Sequence, residues 1–296
     1  MQTGYIVLGI IFIFVIWALI EQKQLVTTKY IVTSDKLPKV FDGIHFVVLA
    51  DLHNYKFGDN NDRLVKRIEQ LSPEFLIIAG DMINKRTSCY PSNAFSLLNQ
   101  LSKKYKIFYA YGNHEQRMEE MLLENKELAS QDIYTSWTEY KKILINQGVS
   151  FLDNKSTAYI KNKEKLIITG ISIERKFFER NNFPAMEEDY LNTILGKRYE
   201  GKYQVLIAHN PMYFTNYAKW GADLTISGHL HGGMVRLPGV GGVISPQVKL
   251  FPKYNAGNFS ENGQQMIVSR GLGSHSYMPR LFNAPEIVTV TLKYEA

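Results

Sequence analysis

The sequence predicts an α/β layered fold, on three observations. Short apolar runs rich in β-branched and aromatic residues recur along the chain, stretches with apolar residues at helical spacing separate several of them, and most runs stop at a glycine or a polar turn residue. Composition agrees: 45% of the 296 residues are hydrophobic, enough for a substantial core, which excludes a wholly disordered chain. The single cysteine, Cys89, excludes a disulfide framework and any CxxC-type metal site. With 34 Lys+Arg against 28 Asp+Glu, the net charge of +6 favours an anionic surface or substrate, but no dense basic stripe marks a nucleic-acid module.

The first element is Gly4–Ile20, GYIVLGIIFIFVIWALI, an apolar run without a charge. No positive n-region precedes it and no small-x-small cleavage site ends it, so it reads as an uncleaved transmembrane anchor over residues 1–22, placing the protein in the cell membrane. Lys23, Lys29, Lys36 and Lys39 follow the run and no Lys or Arg precedes it, so the positive-inside rule votes for a cytoplasmic domain. A linker over 23–40 and one globular domain over 41–296 complete the division. In that domain HFVVLA (45–50), FLIIAG (75–80), KIFYAYG (106–112), KLIITG (165–170), QVLIAH (204–209) and DLTISG (223–228) read as buried strands. Leu64, Val65, Ile68 and Leu71 fall at helical spacing, and 93–101 and 115–147 also read as helical. From Gly232 the chain becomes rich in Gly and Pro, then ends in the strand-like QMIVSR and EIVTVTL.

The chemistry-bearing residues stand directly after the predicted strands: Asp51 and His53 in ADLHN, Asp81 in AGDMIN, Asn113 and His114 in YGNHE, His209 in IAHNP, His229 and His231 in SGHLHGG. Five of the chain's seven histidines lie in these segments. In an open α/β fold, residues past the C-terminal ends of strands collect along one crevice, so these distant segments can converge. They form an oxygen and nitrogen donor set without a thiolate. Two divalent ions about 3.5–4 Å apart need a shared anionic ligand, and Asp81 is the natural carboxylate for it. Asp51, His53 and His231 would then complete one metal, and Asn113, His209 and His229 the other. His114, beside a ligand but not itself one, would protonate the leaving oxygen. Gly80, Gly112 and Gly228 leave room where these loops turn.

The ordered blocks DLH, GDxxN, GNHE, AHNP and GHLHGG, over about residues 45–235, resemble the calcineurin-like metallophosphoesterase superfamily. RLPGVGG, FPKYNAG and VSRGLGS further resemble its bacterial membrane-anchored branch, which includes phosphodiesterases and relatives of UDP-diacylglucosamine pyrophosphatases. The resemblance implies a four-layer αββα sandwich with two divalent ions, Mn, Fe or Zn, between the sheets; a His-rich set independently disfavours magnesium. It implies a metal-dependent phosphoric ester hydrolase. The sequence departs from the pattern at Asn84, where the family has an Asp that orients the catalytic His. Asn84 can still accept a hydrogen bond from the His114 imidazole but brings no negative charge.

Arg236, Arg270 and Arg280 lie in loops after the metal blocks and are candidate phosphate clamps. The segment 174–190 reads as a solvated loop and amphipathic helix, with a cap over the metals that grips an apolar substrate part as the alternative. His45 reads as a packing residue, His275 as a surface-loop residue with substrate contact as the alternative, and Glu115 is assigned no chemistry beyond starting a helix. The substrate expected is a phosphate mono- or diester or a pyrophosphate, lipid-linked if the anchor holds the site near a bilayer. The rival readings are a catalytically silent metal-binding scaffold and a nuclease; intact blocks oppose the first and the absence of a basic stripe the second.

Overall fold

The structure is a computed structural model that describes all residues except 1, 85–89, 91, 125–130, 180–183, 234, 238, 246–249 and 274–279. Cys89 and His275 thus lie outside the described residues. In chain order the elements are α1 (Gln2–Glu21), β1 (Val26–Ser34), β2 (His45–Leu49), α2 (Asp62–Leu71), β3 (Phe75–Ala79), α3 (Asn93–Leu101), β4 (Lys106–Ala110), α4 (Asn113–Glu124), α5 (Gln131–Asn146), β5 (Ser150–Phe151), β6 (Lys155–Lys161) and β7 (Glu164–Ile171). Then come α6 (Tyr190–Leu195), β8 (Gln204–Ala208), α7 (Phe214–Trp220), β9 (Leu224–Ser227), β10 (Arg236–Leu237), β11 (Gly241–Gly242), β12 (Gly257–Glu261), β13 (Gln264–Val268) and β14 (Glu286–Tyr294).

Two sheets carry the fold, in strand orders β1-β14-β2-β3-β4-β5 and β12-β13-β9-β8-β7-β6. Strand alternation assigns each side chain a layer. In β2, Val47 and Leu49 face the helices, meeting Leu64 and Ile68 of α2 and Leu97 and Leu101 of α3. Phe46 and Val48 point the other way and pack between the sheets against Ile168, Val205, Ile207 and Ile226. The far face of the second sheet is covered by Leu191 of α6 and by Tyr217 and Trp220 of α7. The result is a mixed α/β fold, with the sheets flanked by helices. Burial on both faces explains why β2, β3 and β8 read as unbroken apolar runs.

Three expectations change. The expected cell-membrane location is overturned: among the described residues no helix is long and apolar enough to cross a membrane. The stretch expected as a linker contains β1, which pairs in parallel with β14 from Val26↔Glu286 to Ser34↔Tyr294. The helix expected over 115–147 is two helices, α4 and α5.

Candidate metal centre

Strands β2, β3, β4 and β5 run parallel, as do β7, β8 and β9 in the other sheet. The loops after β2, β3, β4, β8 and β9 therefore open on one edge, and backbone bonds lace them together. Asp51 N donates to Gly80 O at 3.0 Å, His53 N to Asp81 O at 3.0 Å, and Gly228 N to His209 O at 3.0 Å. Asp51, His53, Asp81, His229 and His231 all have positive φ, between 47° and 69°, a left-handed backbone that side chains resist. Strain concentrated on the residues singled out for chemistry is the pattern of a functional site.

Two glycines make room. A Cβ on Gly112 would stand 2.2 Å from Asp81 Oδ1, and one on Gly228 would stand 2.5 Å from Asp51 Oδ2. The carboxylates then sit directly against backbone, and backbone N–H groups orient them: His114 N donates to Asp81 Oδ1 at 2.9 Å, and His229 N lies 3.1 Å from both Asp51 oxygens.

The structure brings six of the seven predicted ligands together, in groups whose donor atoms lie within 4.8 Å of one another. Asp51, His53 and His231 form one buried cluster and Asp81, His209 and His229 another, while Asp81 also groups with His53 and His114. Asp81 Oδ2 lies 3.1 Å from His209 Nε2 and 3.8 Å from His53 Nε2, so one carboxylate reaches both clusters. His53 Nε2 and His231 Nε2 approach to 3.1 Å, and His231 Nε2 lies 3.5 Å from Asp51 Oδ1. His209 Nδ1 donates to Ala79 O at 2.6 Å, which leaves Nε2 as its lone-pair nitrogen.

The donor set fits divalent cations. Asn113 Oδ1 is buried without a hydrogen-bond partner, and buried His209 Nε2 faces the Asp81 carboxylate at 3.1 Å. Buried polar atoms left this way are costly unless something else satisfies them. With protein groups alone, burial pushes the Asp51 carboxyl up to about 7 against the pull of His209. Burial also opposes charge on Asp81, yet His209, His114 and His53 outweigh it and hold that carboxyl well below the usual range. Burial would lower His209, but Asp81 and then Asp51 carry it up to about 10. Burial, then His53 and Arg280, pushes His231 well down, toward the neutral imidazole that ligates metals.

The other predicted residues are placed as follows. His114 is buried with its ring 4.8 Å from that of His53. Asn84 is half-buried at the end of the Asp81 loop. Arg280 is corrected: its buried guanidinium donates to the carbonyls of Gly273, Asn283, Arg270 and Gly271, so it is a loop brace and not a phosphate clamp. Arg270 Nη2 pairs with buried Glu286 at 3.0 Å, which occupies it too. Arg236 Nη1 donates to Gly232 O at 2.8 Å and Asn255 Oδ1 at 2.9 Å, and the side chain borders a cavity. His45 Nε2 bonds Leu71 O at 3.1 Å. Two residues beside the site were given no role in the sequence reading. Phe178 stands edge-on to His229 at 5.1 Å and 6.2 Å from His209. Glu115 is buried among backbone amides.

The two sheets thus deliver carboxylates and imidazoles to one edge, a donor set suited to divalent metals. The chain belongs to the calcineurin-like phosphoesterase family, whose model matches residues 44–233. It is a phosphoric ester hydrolase. The metallophosphoesterase YkuE of Bacillus subtilis (strain 168) is 24% identical over 278 residues, covering 93% of this chain and 87% of that protein. The UDP-2,3-diacylglucosamine pyrophosphatase LpxG of Chlamydia trachomatis is 26% identical over 302 residues, covering 88% and 87%. The phosphodiesterase YaeI of Escherichia coli (strain K12) is 25% identical over 247 residues, covering 82% and 80%.

Proposed function

We propose that the chain is a dimetal phosphoesterase that cleaves a phosphate diester or a pyrophosphate whose leaving group bears an apolar chain. The observation that carries the dimetal reading is Asp81 Oδ2, within 3.8 Å of imidazole nitrogens from both clusters. Asp51, His53 and His231 would hold one cation, Asn113, His209 and His229 the other, with Asp81 shared between them; Mn, Fe or Zn suits the donors. Bound cations supply Lewis acidity toward phosphoryl oxygen and lower the pKa of bound water. The chain's own residues do the rest. The bond from His114 N to Asp81 Oδ1 fixes this histidine beside the shared ligand, where its ring holds the proton for the leaving oxygen. Asn84, in the position where the family pattern has an orienting Asp, would accept from that ring through its side-chain carbonyl. Phe178 shields the His209 and His229 side from water.

The leaving-group reading rests on a cavity of about 480 Å³. Arg236, whose Nη1 holds Gly232 O next to His231, lines it with Lys253, and Leu237, Val240, Phe259 and Phe282 give it apolar walls. A cavity with a cationic and an apolar lining, tied to the His231 loop through Arg236 and Gly232, suits an anionic headgroup joined to a hydrocarbon chain. The relation to LpxG agrees with that chemistry, and YaeI with diester cleavage. The layering of α2 and α3, two sheets, then α6 and α7 supports the four-layer αββα reading.

A hydrolysis screen with Mn added or removed tests this, comparing p-nitrophenyl phosphate, its bis-ester and a nucleotide-diphospho-lipid. Mn-dependent turnover of the bis-ester and preference for the lipid are expected. Turnover indifferent to metal refutes the dimetal reading, and equal rates on lipid-free nucleotide diphosphates refute the apolar leaving group.

A further inference from the structure

Glu115 has no exposed surface, and its carboxylate is surrounded by donors. Oε2 accepts from Asp81 N at 2.8 Å and Gly112 N at 3.0 Å. Oε1 accepts from Met82 N at 2.8 Å, Ile83 N at 3.3 Å and Tyr109 Oη at 2.7 Å. Three consecutive amides, at 81, 82 and 83, thus converge on one carboxylate, the concave arrangement in which a backbone binds an anion. The turn needs such an anchor because Gly80 and Asp81 both have positive φ, 84° and 54°.

The bonding is reciprocal. Glu115 takes the N–H of Asp81, and Asp81 Oδ1 takes the N–H of His114, one residue before Glu115. Two loops, after β3 and after β4, are therefore clamped by two carboxylates exchanging backbone donors. The carboxylate that both clusters share and the neighbouring His114 are located relative to each other through this clamp. None of the ion pairs among the described residues involves Glu115, so its charge is spent on backbone amides and not on a cation of the protein.

We propose that Glu115 is the positioning residue of the metal centre: its carboxylate is the internal anion around which the Asp81 turn folds, and it sets where the shared aspartate stands. This rests on the dimetal reading above. Glu115→Gln keeps the volume, but either amide orientation turns an NH₂ toward backbone N–H groups that need an acceptor. The test measures Mn binding to the full chain by calorimetry, and the spin-coupled Mn-pair signal by electron paramagnetic resonance, at a temperature where the circular dichroism of both proteins is native. Expected are a 10–100-fold loss of Mn affinity, the effect usual for groups that orient ligands, and loss of the coupled signal. Tyr109→Phe removes one O–H donor, leaves the amides bound, and should keep both readouts. A folded Glu115→Gln protein with native Mn affinity and coupled signal overturns the proposal, even if its melting temperature falls. Should Glu115→Gln not fold, amide exchange in the wild-type chain decides: the amides of Asp81, Met82 and Gly112 should exchange as slowly as those of β3, and loop-like rates overturn the proposal. A wild-type chain that binds no Mn pair removes the dimetal reading and this proposal with it, and so is told apart from failure of Glu115 alone.

Discussion

Gly112→Ala is the sharpest perturbation of the site, because one methyl group meets one ligand. The added Cβ would lie 2.2 Å from Asp81 Oδ1 and 2.6 Å from Asp81 N. Ordinary contact begins at 3.4 Å, so the aspartate or the β4 loop must retreat by about 1 Å, and interdigitated interiors yield little. Gly112 does not have positive φ, so its backbone accepts alanine and the whole effect is steric. The expected destabilisation is about 1–3 kcal/mol, the range for overfilling a packed interior. The functional loss should be larger, since a ~1 Å misplacement in a catalytic constellation costs on the order of 100-fold in rate. Mn titration and hydrolysis of bis(p-nitrophenyl) phosphate at saturating metal read the two effects separately, with calorimetry for stability. Gly148→Ala is the control: its φ is +89° and nothing lies within 4 Å of a Cβ there. It should cost about 1 kcal/mol through the backbone alone and leave Mn binding unchanged. Gly112→Ala with native Mn affinity and rate would refute the claim that Asp81 must stand against that backbone.

Three further outcomes are expected. His114→Ala should keep its Mn content and lose turnover on alkyl esters about 100–10,000-fold while p-nitrophenyl esters suffer less, because a good leaving group needs little protonation; equal losses on both leaving groups would remove His114 as the proton donor. Arg280→Lys should lower stability by roughly 3 kcal/mol, since a point-like ammonium cannot serve the carbonyls of Gly273, Asn283, Arg270 and Gly271 together. An unchanged melting temperature would restore Arg280 as a candidate substrate contact. Val240→Asp, on the exposed rim of the 480 Å³ cavity, should raise KM for an apolar-tailed substrate about tenfold and leave the bis-ester untouched, since one charge against a hydrocarbon chain costs on the order of 1.4 kcal/mol or more. Equal KM values in both proteins would take the tail out of the cavity.

What was legible in the sequence, and what was not, divides along one physical line. β2, β3, β4, β7, β8 and β9 were readable because buried strands call for short runs dominated by apolar residues. The candidate metal-centre residues could be singled out because each follows such a run, where parallel strand order gathers them. β1 was not, because VTTKYIVTS occupies a sheet edge with its residues mostly half-buried, and its sequence carries as much polar as apolar character. Arg280 and Glu115 were illegible for a different reason. An arginine looks the same in a sequence whether a phosphate or four carbonyls accept its hydrogens, and a glutamate looks the same whether it caps a helix or fills a ring of amides. Their partners are backbone groups, which every residue carries and no residue type announces. The ligand set of this site therefore shows in side-chain identity, while the parts that hold it rigid act through the main chain and became visible only when β3 and β4 brought Asp81, Gly112 and Glu115 to one place.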